Sequence, residues 1–213
     1  CDLIREKAED KAKRFGAENV IEDYHVALDD PEVDIVYVLT QNFAHYTVTM
    51  DALKAGKHVF CEKPITVNYE LACEMAHEAR KSGKLLNIGV CNRYHKSVIE
   101  IAEKVKNGEL GDVYHIYCSF RSHRSIPGLG GEFTTKASSG GGVLIDWGIH
   151  FLDLILYIIG GAKIKTVSAD TYSKTAPTID SYKYTDMWAG PPVENGTNDV
   201  EDYVTGYVRT DKC

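Results

Sequence analysis

The feature that most restricts this chain is the alternation, over its first 91 residues, of short β-branched runs with longer segments of helical period. Residues 3–15 place Leu3, Ile4, Ala8, Ala12 and Phe15 at helical spacing and close on Gly16. Residues 24–29 predict a further helical turn before Pro31, and 33–39 (VDIVYVL) predict a strand buried on both faces. A helix over 43–55 ends in Lys54-Ala55-Gly56-Lys57, a sound C-terminal signal. Residues 58–61 give a second strand, 68–82 a long helix and 85–90 a third strand. Helix and strand in turn, joined by short links, predict a doubly wound parallel sheet of the α/β class.

The pattern changes after residue 92. A helix over 95–107 precedes residues 113–121, which alternate polar and apolar side chains as a strand with one wet face does. A Gly- and Ser-rich loop over 125–142, an apolar helix over 143–159 and strands near 164–172 and 203–210 follow. These predict an α+β domain with a mostly antiparallel open sheet, so the expected division is 1–91 and 92–213.

Charge narrows the function classes. Lys plus Arg is 24 against 31 Asp plus Glu, a net −7, and a nucleic-acid or anionic-membrane binder needs a basic face. The apolar run 143–159 falls short of the roughly 20 residues a membrane span needs, and Asp146, His150 and Asp153 interrupt it. It is therefore expected to be a buried helix. The six cysteines form no C-x-x-C pair. Cys61, Cys91 and Cys118 lie in apolar runs, the setting of reduced core thiols in a cytoplasmic protein.

Three groups of residues have the makings of chemistry. Thr40, Asn42 and His45 follow the strand at 33–39, and ligands of open α/β sheets bind beyond the carboxyl ends of strands. Helix capping accounts for Thr40 and Asn42 as well, and His45 can be a satisfied surface histidine. Glu62-Lys63-Pro64 stands past the second strand, where Lys63 can hold a substrate hydroxyl, or simply be solvated. In Gly140-Gly141-Gly142-Val143-Leu144-Ile145-Asp146-Trp147-Gly148-Ile149-His150, the residues Asp146, His150 and Asp153 form one polar stripe on an apolar helix. Asp146 and His150 suit proton transfer, and their spacing also suits a divalent metal. No third strong ligand stands at a telling distance, so no metal is expected. The glycine triplet can bring backbone amides to an anion, but no Lys-Ser/Thr follows it as in a P-loop, and the sequence holds no G-x-G-x-x-G.

Taken together, DPEVDIVYVLTQNFAH, ALKAGKHVFCEKPIT, Asn92-Arg93-Tyr94 and GGGVLIDWGIHFLDL resemble the glucose–fructose oxidoreductase / inositol dehydrogenase (Gfo/Idh/MocA) family of NAD(P)-dependent oxidoreductases. The likeness runs from Asp2 to about Arg209. It implies catalytic roles for Lys63, Asp146 and His150. It implies a dinucleotide lined by Asp2, Thr40, Asn42, His45, Glu62, Lys63, Cys91 and Asn92, with the acidic Asp2 favouring NAD, while NADP stays open. The substrate would be a sugar, cyclitol or glycoside, met by Arg93, Tyr94, Arg121, Arg124, Lys136 and Trp147, with His123 in the same loop. By analogy, a homo-oligomer through the second sheet is expected.

The family starts with a strand, glycine-rich turn and helix, a unit of roughly 30 residues that has no counterpart in this sequence, and it runs on beyond the equivalent of residue 213. Cys1-Asp2 and Asp211-Lys212-Cys213 do not resemble natural termini, so the expectation is the interior of a longer protein or a damaged copy. The alternatives are a non-catalytic partner subunit, an NAD-dependent glycosidase working by transient oxidation, and a metal-dependent hydrolase or isomerase using Asp146 and His150.

Overall fold

The computed structural model describes residues 1–122, 126–175, 187 and 189–212. Its first unit holds α1 (Arg5–Phe15), α2 (His25–Asp29), β1 (Ile35–Val38), α3 (His45–Lys54), β2 (His58–Cys61), α4 (Tyr69–Ser82) and β3 (Leu86–Ile88). The three strands are parallel in the order β1-β2-β3, with Val36 beside Val59 and Cys61 beside Ile88. Local chemistry sets the helix limits. Asn68 caps α4 by accepting from the Leu71 N–H at 3.1 Å, and α4 ends on Gly83.

The sheet is covered on one face, not on two as expected for 33–39. Val38, Val59 and Cys61 pack against Leu28 of α2, Val48, Ala52 and Leu53 of α3 and Ala79 of α4. On the other face Ile35 and Tyr37 are open. The strand order advances in one direction, so crossovers of one hand carry α3 and α4 to the same side.

The second unit has α5 (Lys96–Lys106), the short α6 (Lys136–Ser139), a π turn (Leu144–Gly148) leading into α7 (Ile149–Ile158), and β4 (Ile164–Tyr172) paired antiparallel with β5 (Tyr203–Thr210). The fold class is thus as the sequence implies: a Rossmann-like parallel sheet followed by an α+β unit with an antiparallel sheet. Residues 113–121 differ. They carry no strand, and Tyr114 and Tyr117 are exposed. Alternation prepares a strand, but a ladder needs a neighbour's backbone groups, and among the described residues none pairs with 113–121.

Two further expectations are corrected. Cys91 and Cys118 are exposed, whereas Cys61 is fully buried, because the first two follow or lie outside the strands that would cover them. The apolar helix is half-buried along most of its length, with His150 and Ile159 its buried members. By length and composition Lys136–Ile158 would suffice to cross a membrane, with a mean hydropathy of 1.5. The run is broken at Gly140–Gly142, however, and its carboxylates pair with cations of residues 63 and 93.

Candidate active site

The site forms where the end of β2 meets the start of the apolar helix. Glu62 prolongs the sheet by donating its N–H to the Val38 carbonyl at 3.0 Å. Its carboxylate accepts from the Lys63 N–H at 3.1 Å and fills the space beside Gly89, lying 2.8 Å from where a Cβ there would stand. Any side chain at 89 would displace it. Lys63 then reaches into the second unit. Its Nζ donates to Asp146 Oδ1 at 2.9 Å and to the Asp146 carbonyl at 2.8 Å. The two side chains are only 20% and 14% exposed, so this charge-assisted contact is shielded from water and is stronger than a surface pair.

Asp146 lies inside the π turn, where the Ile149 N–H reaches back to the Leu144 carbonyl. Such turns are rare and occur frequently at functional sites. One turn later His150 is buried, and its Nδ1 has no hydrogen-bond partner among the described residues. Burial pushes its pKa below the ordinary histidine value. The Lys63 ammonium adds to that shift, and Asp146, Glu62 and Asp153 oppose it. A neutral imidazole, a shielded ammonium and a carboxylate are thereby gathered into one cluster. Together they can take a proton from a hydroxyl and stabilise the resulting oxygen.

The other expected residues divide into several groups. Asn42 does not cap a helix; its Nδ2 donates to the Ser139 carbonyl at 2.9 Å, tying the two units together. His45 is buried, with Nδ1 2.7 Å from the Pro64 carbonyl and Nε2 3.0 Å from that of Thr40. Its ring is a strut beneath the Glu62-Lys63-Pro64 turn rather than a surface group. Thr40 is exposed, with its hydroxyl 3.4 Å from the Gln41 carbonyl. Arg93 faces Asp153 instead of open space: Nε donates to Oδ2 at 2.7 Å, Nη2 pairs with Oδ1, and the guanidinium lies 5.1 Å from the Tyr157 ring centre. Asn92 is half-buried beside the exposed Cys91.

Asp2 is exposed and accepts from the Ile4 N–H at 2.8 Å. Tyr94 and Lys136 are exposed. Trp147 stacks on Phe120 with ring centres 4.6 Å apart. A cavity of about 750 Å³ opens beside the cluster, lined by Phe120, Arg121, Asp146, Trp147, Phe151 and Tyr203 among others. Lys63 and His150 are not in its wall. Arg124 and His123 lie outside the described residues.

Sequence reasoning missed Glu201. Its carboxylate accepts from the Gly142 N–H at 2.9 Å and the Leu144 N–H at 3.1 Å. The glycine triplet does present amides to an anion, as its composition allows, and that anion is the chain's own glutamate. No spacing signal links residues 59 positions apart.

Residues 1–90 match the model of the oxidoreductase family with an NAD-binding Rossmann fold, and residues 98–212 match the GFO/IDH/MocA C-terminal domain. The chain is 38% identical to D-glucoside 3-dehydrogenase of Escherichia coli (strain K12) over 82% of this chain and 49% of that protein. It is 28% identical to scyllo-inositol 2-dehydrogenase (NAD(+)) of Bacillus subtilis (strain 168) over 85% of this chain and 51% of that protein. The chain thus spans about half the length of these curated relatives. The solved structure of levoglucosan dehydrogenase in complex with NADH and levoglucosan superposes with a TM-score of 0.79. It covers 99% of this chain and 53% of its own, at 23% identity, a likeness of fold.

Proposed function

Because the chain belongs to the Gfo/Idh/MocA oxidoreductase family, we propose that Lys63, Asp146 and His150 form the reaction centre of an NAD(P)-dependent dehydrogenase acting on a hydroxyl-bearing carbon of a sugar, cyclitol or glycoside. The observation that carries this reading is the contact of Lys63 Nζ with both oxygen types of Asp146, one turn from a buried His150 whose Nδ1 has no partner among the described residues.

The nicotinamide supplies a hydride acceptor when bound. The residues present fit that end of a dinucleotide. Glu62, Lys63 and Asn92 lie just past the carboxyl ends of β2 and β3, where ligands of such sheets bind. His150 Nδ1 is a buried polar atom without a partner among the described residues, as a site open to a ligand requires. In this mechanism the neutral His150 imidazole takes the substrate hydroxyl proton. Lys63 polarises the same oxygen, and Asp146 holds the ammonium in place. His45 acts by fixing the Thr40–Pro64 wall, and Asn42 by tying the segment after β1 to residue 139. Asp2 would take ribose hydroxyls and so favour NAD over NADP. Arg121, Arg124, Lys136, Tyr94 and Trp147 are the candidate substrate contacts.

The division at residue 91 belongs to the same reading and is supported by family matches that end at 90 and resume at 98. The open β4–β5 ribbon, which exposes Val167, Tyr203 and Tyr207, supports a homo-oligomer through this sheet. The protein is read as cytoplasmic, with a small-molecule partner and without nucleic-acid or membrane partners. The test is NADH formation from NAD⁺ with a panel of glucosides and inositols. Lys63→Met and His150→Asn are expected to abolish it, and undiminished turnover in either variant would overturn the assignment.

A further inference from the structure

We infer that Glu201 is a positioning residue for the Lys63–Asp146–His150 centre, holding the turn from which Asp146 and His150 project. This rests on the reading of that centre as the reaction site. The first N–H groups of a helix have no partners within the helix. Here one residue serves the N–H groups of residues 142, 143 and 144. Glu201 Oε2 accepts from Gly142 at 2.9 Å, its carbonyl from Val143 at 3.0 Å, and Oε1 from Leu144 at 3.1 Å. A carboxylate at this end also meets the positive end of the helix dipole.

The closeness of the approach is independent support. A Cβ on residue 142 would stand 1.9 Å from the Glu201 carbonyl oxygen, so the two backbones meet only because residue 142 is glycine. Immediately downstream the helix is wound as a π turn, with Ile149 bonded back to Leu144. Leu144 is therefore pinned at its N–H by Glu201 and at its carbonyl by the extra-wide turn. Asp146, in the middle of that turn, gives both its carboxylate and its carbonyl to Lys63. Without the Glu201 carboxylate the N–H groups of 142 and 144 lose their acceptor. The turn is then free to rewind toward an α-helix, which rotates Asp146 and His150 away from Lys63.

The test is a pH titration of side-chain nitrogen NMR signals on the full chain and its Glu201→Gln and Glu201→Ala variants, with the His150 signal assigned by its loss in His150→Gln. Lys63, Asp146, Glu62 and Asp153 are the charged groups that act on this ring. In folded Glu201→Ala the His150 midpoint is expected to rise toward that of an exposed histidine. Glu201→Gln, which keeps one acceptor oxygen, is expected to move it less. If the alanine variant does not fold, the isosteric glutamine variant decides. An unchanged His150 titration in a folded variant overturns the proposal. With turnover as a second readout, kcat should fall at least about tenfold while NADH affinity is retained. A wild-type chain that reduces no NAD⁺ with any sugar would overturn the functional reading, and the NMR comparison would still decide the role of Glu201.

Discussion

Arg93→Met separates two roles for this residue, a clamp on α7 and a ligand contact. The substitution keeps a flexible apolar stem and removes the guanidinium. Asp153, whose side chain is 15% exposed, then loses both hydrogen bonds from Arg93. Charge-assisted hydrogen bonds contribute about 1.5–3 kcal/mol each. The Arg93 side chain is 39% exposed, so water competes for it and the lower figure applies, giving about 3 kcal/mol for the pair. The ring contact with Tyr157 at 5.1 Å adds about 0.5 kcal/mol, and the retained stem offsets part of that.

At about 2–4 °C per kcal/mol for a chain of this size, a loss near 3 kcal/mol lowers Tm by about 6–12 °C. Thermal and urea unfolding measure it. Arg93→Met combined with Asp153→Leu should recover at least half of the loss, because it removes the stranded carboxylate. An Arg93→Met variant that melts within about 1 °C of wild type yet binds NADH or substrate tenfold more weakly would refute the clamp and restore the ligand contact.

Two further outcomes follow from burial. His150 takes up a proton less readily folded than unfolded, so the unfolded state gains protons first as pH falls below about 6.5. Stability should drop between pH 7.5 and 5.5, as read from urea midpoints, and His150→Gln should flatten that part of the curve; an unaltered slope would show that the ring is not desolvated. Burial also pushes the Cys61 thiol up to about 11, while Cys1, Cys73, Cys91 and Cys118 are exposed. Brief alkylation at pH 8 followed by mass spectrometry should label Cys1, Cys73 and Cys91 first, Cys118, whose thiol burial also pushes up, more slowly, and spare Cys61 until urea is added.

The order of helices and strands in the first 91 residues was legible in the sequence, as was the polar stripe of Asp146, His150 and Asp153. Both depend on periodicity and on caps, which are written within a few neighbouring residues. The place of Lys63 past the second strand was legible for the same reason. Tertiary structure alone decided which face of the sheet is covered, because that depends on where the crossover helices lie. It also decided that 113–121 stays outside the sheet, since a strand exists only with a partner.

The partner of each charged group was likewise settled in space. Arg93 meets Asp153 across 60 positions, Lys63 meets Asp146 across 83, and Asn42 meets Ser139 across 97. Glu201 completes a turn that begins 59 positions earlier. A sequence can say that a buried charge must be answered, because desolvation makes an unanswered one costly. Which residue answers it depends on how the second unit folds on itself, for Arg93 and Glu201, and back onto the first, for Lys63 and Asn42.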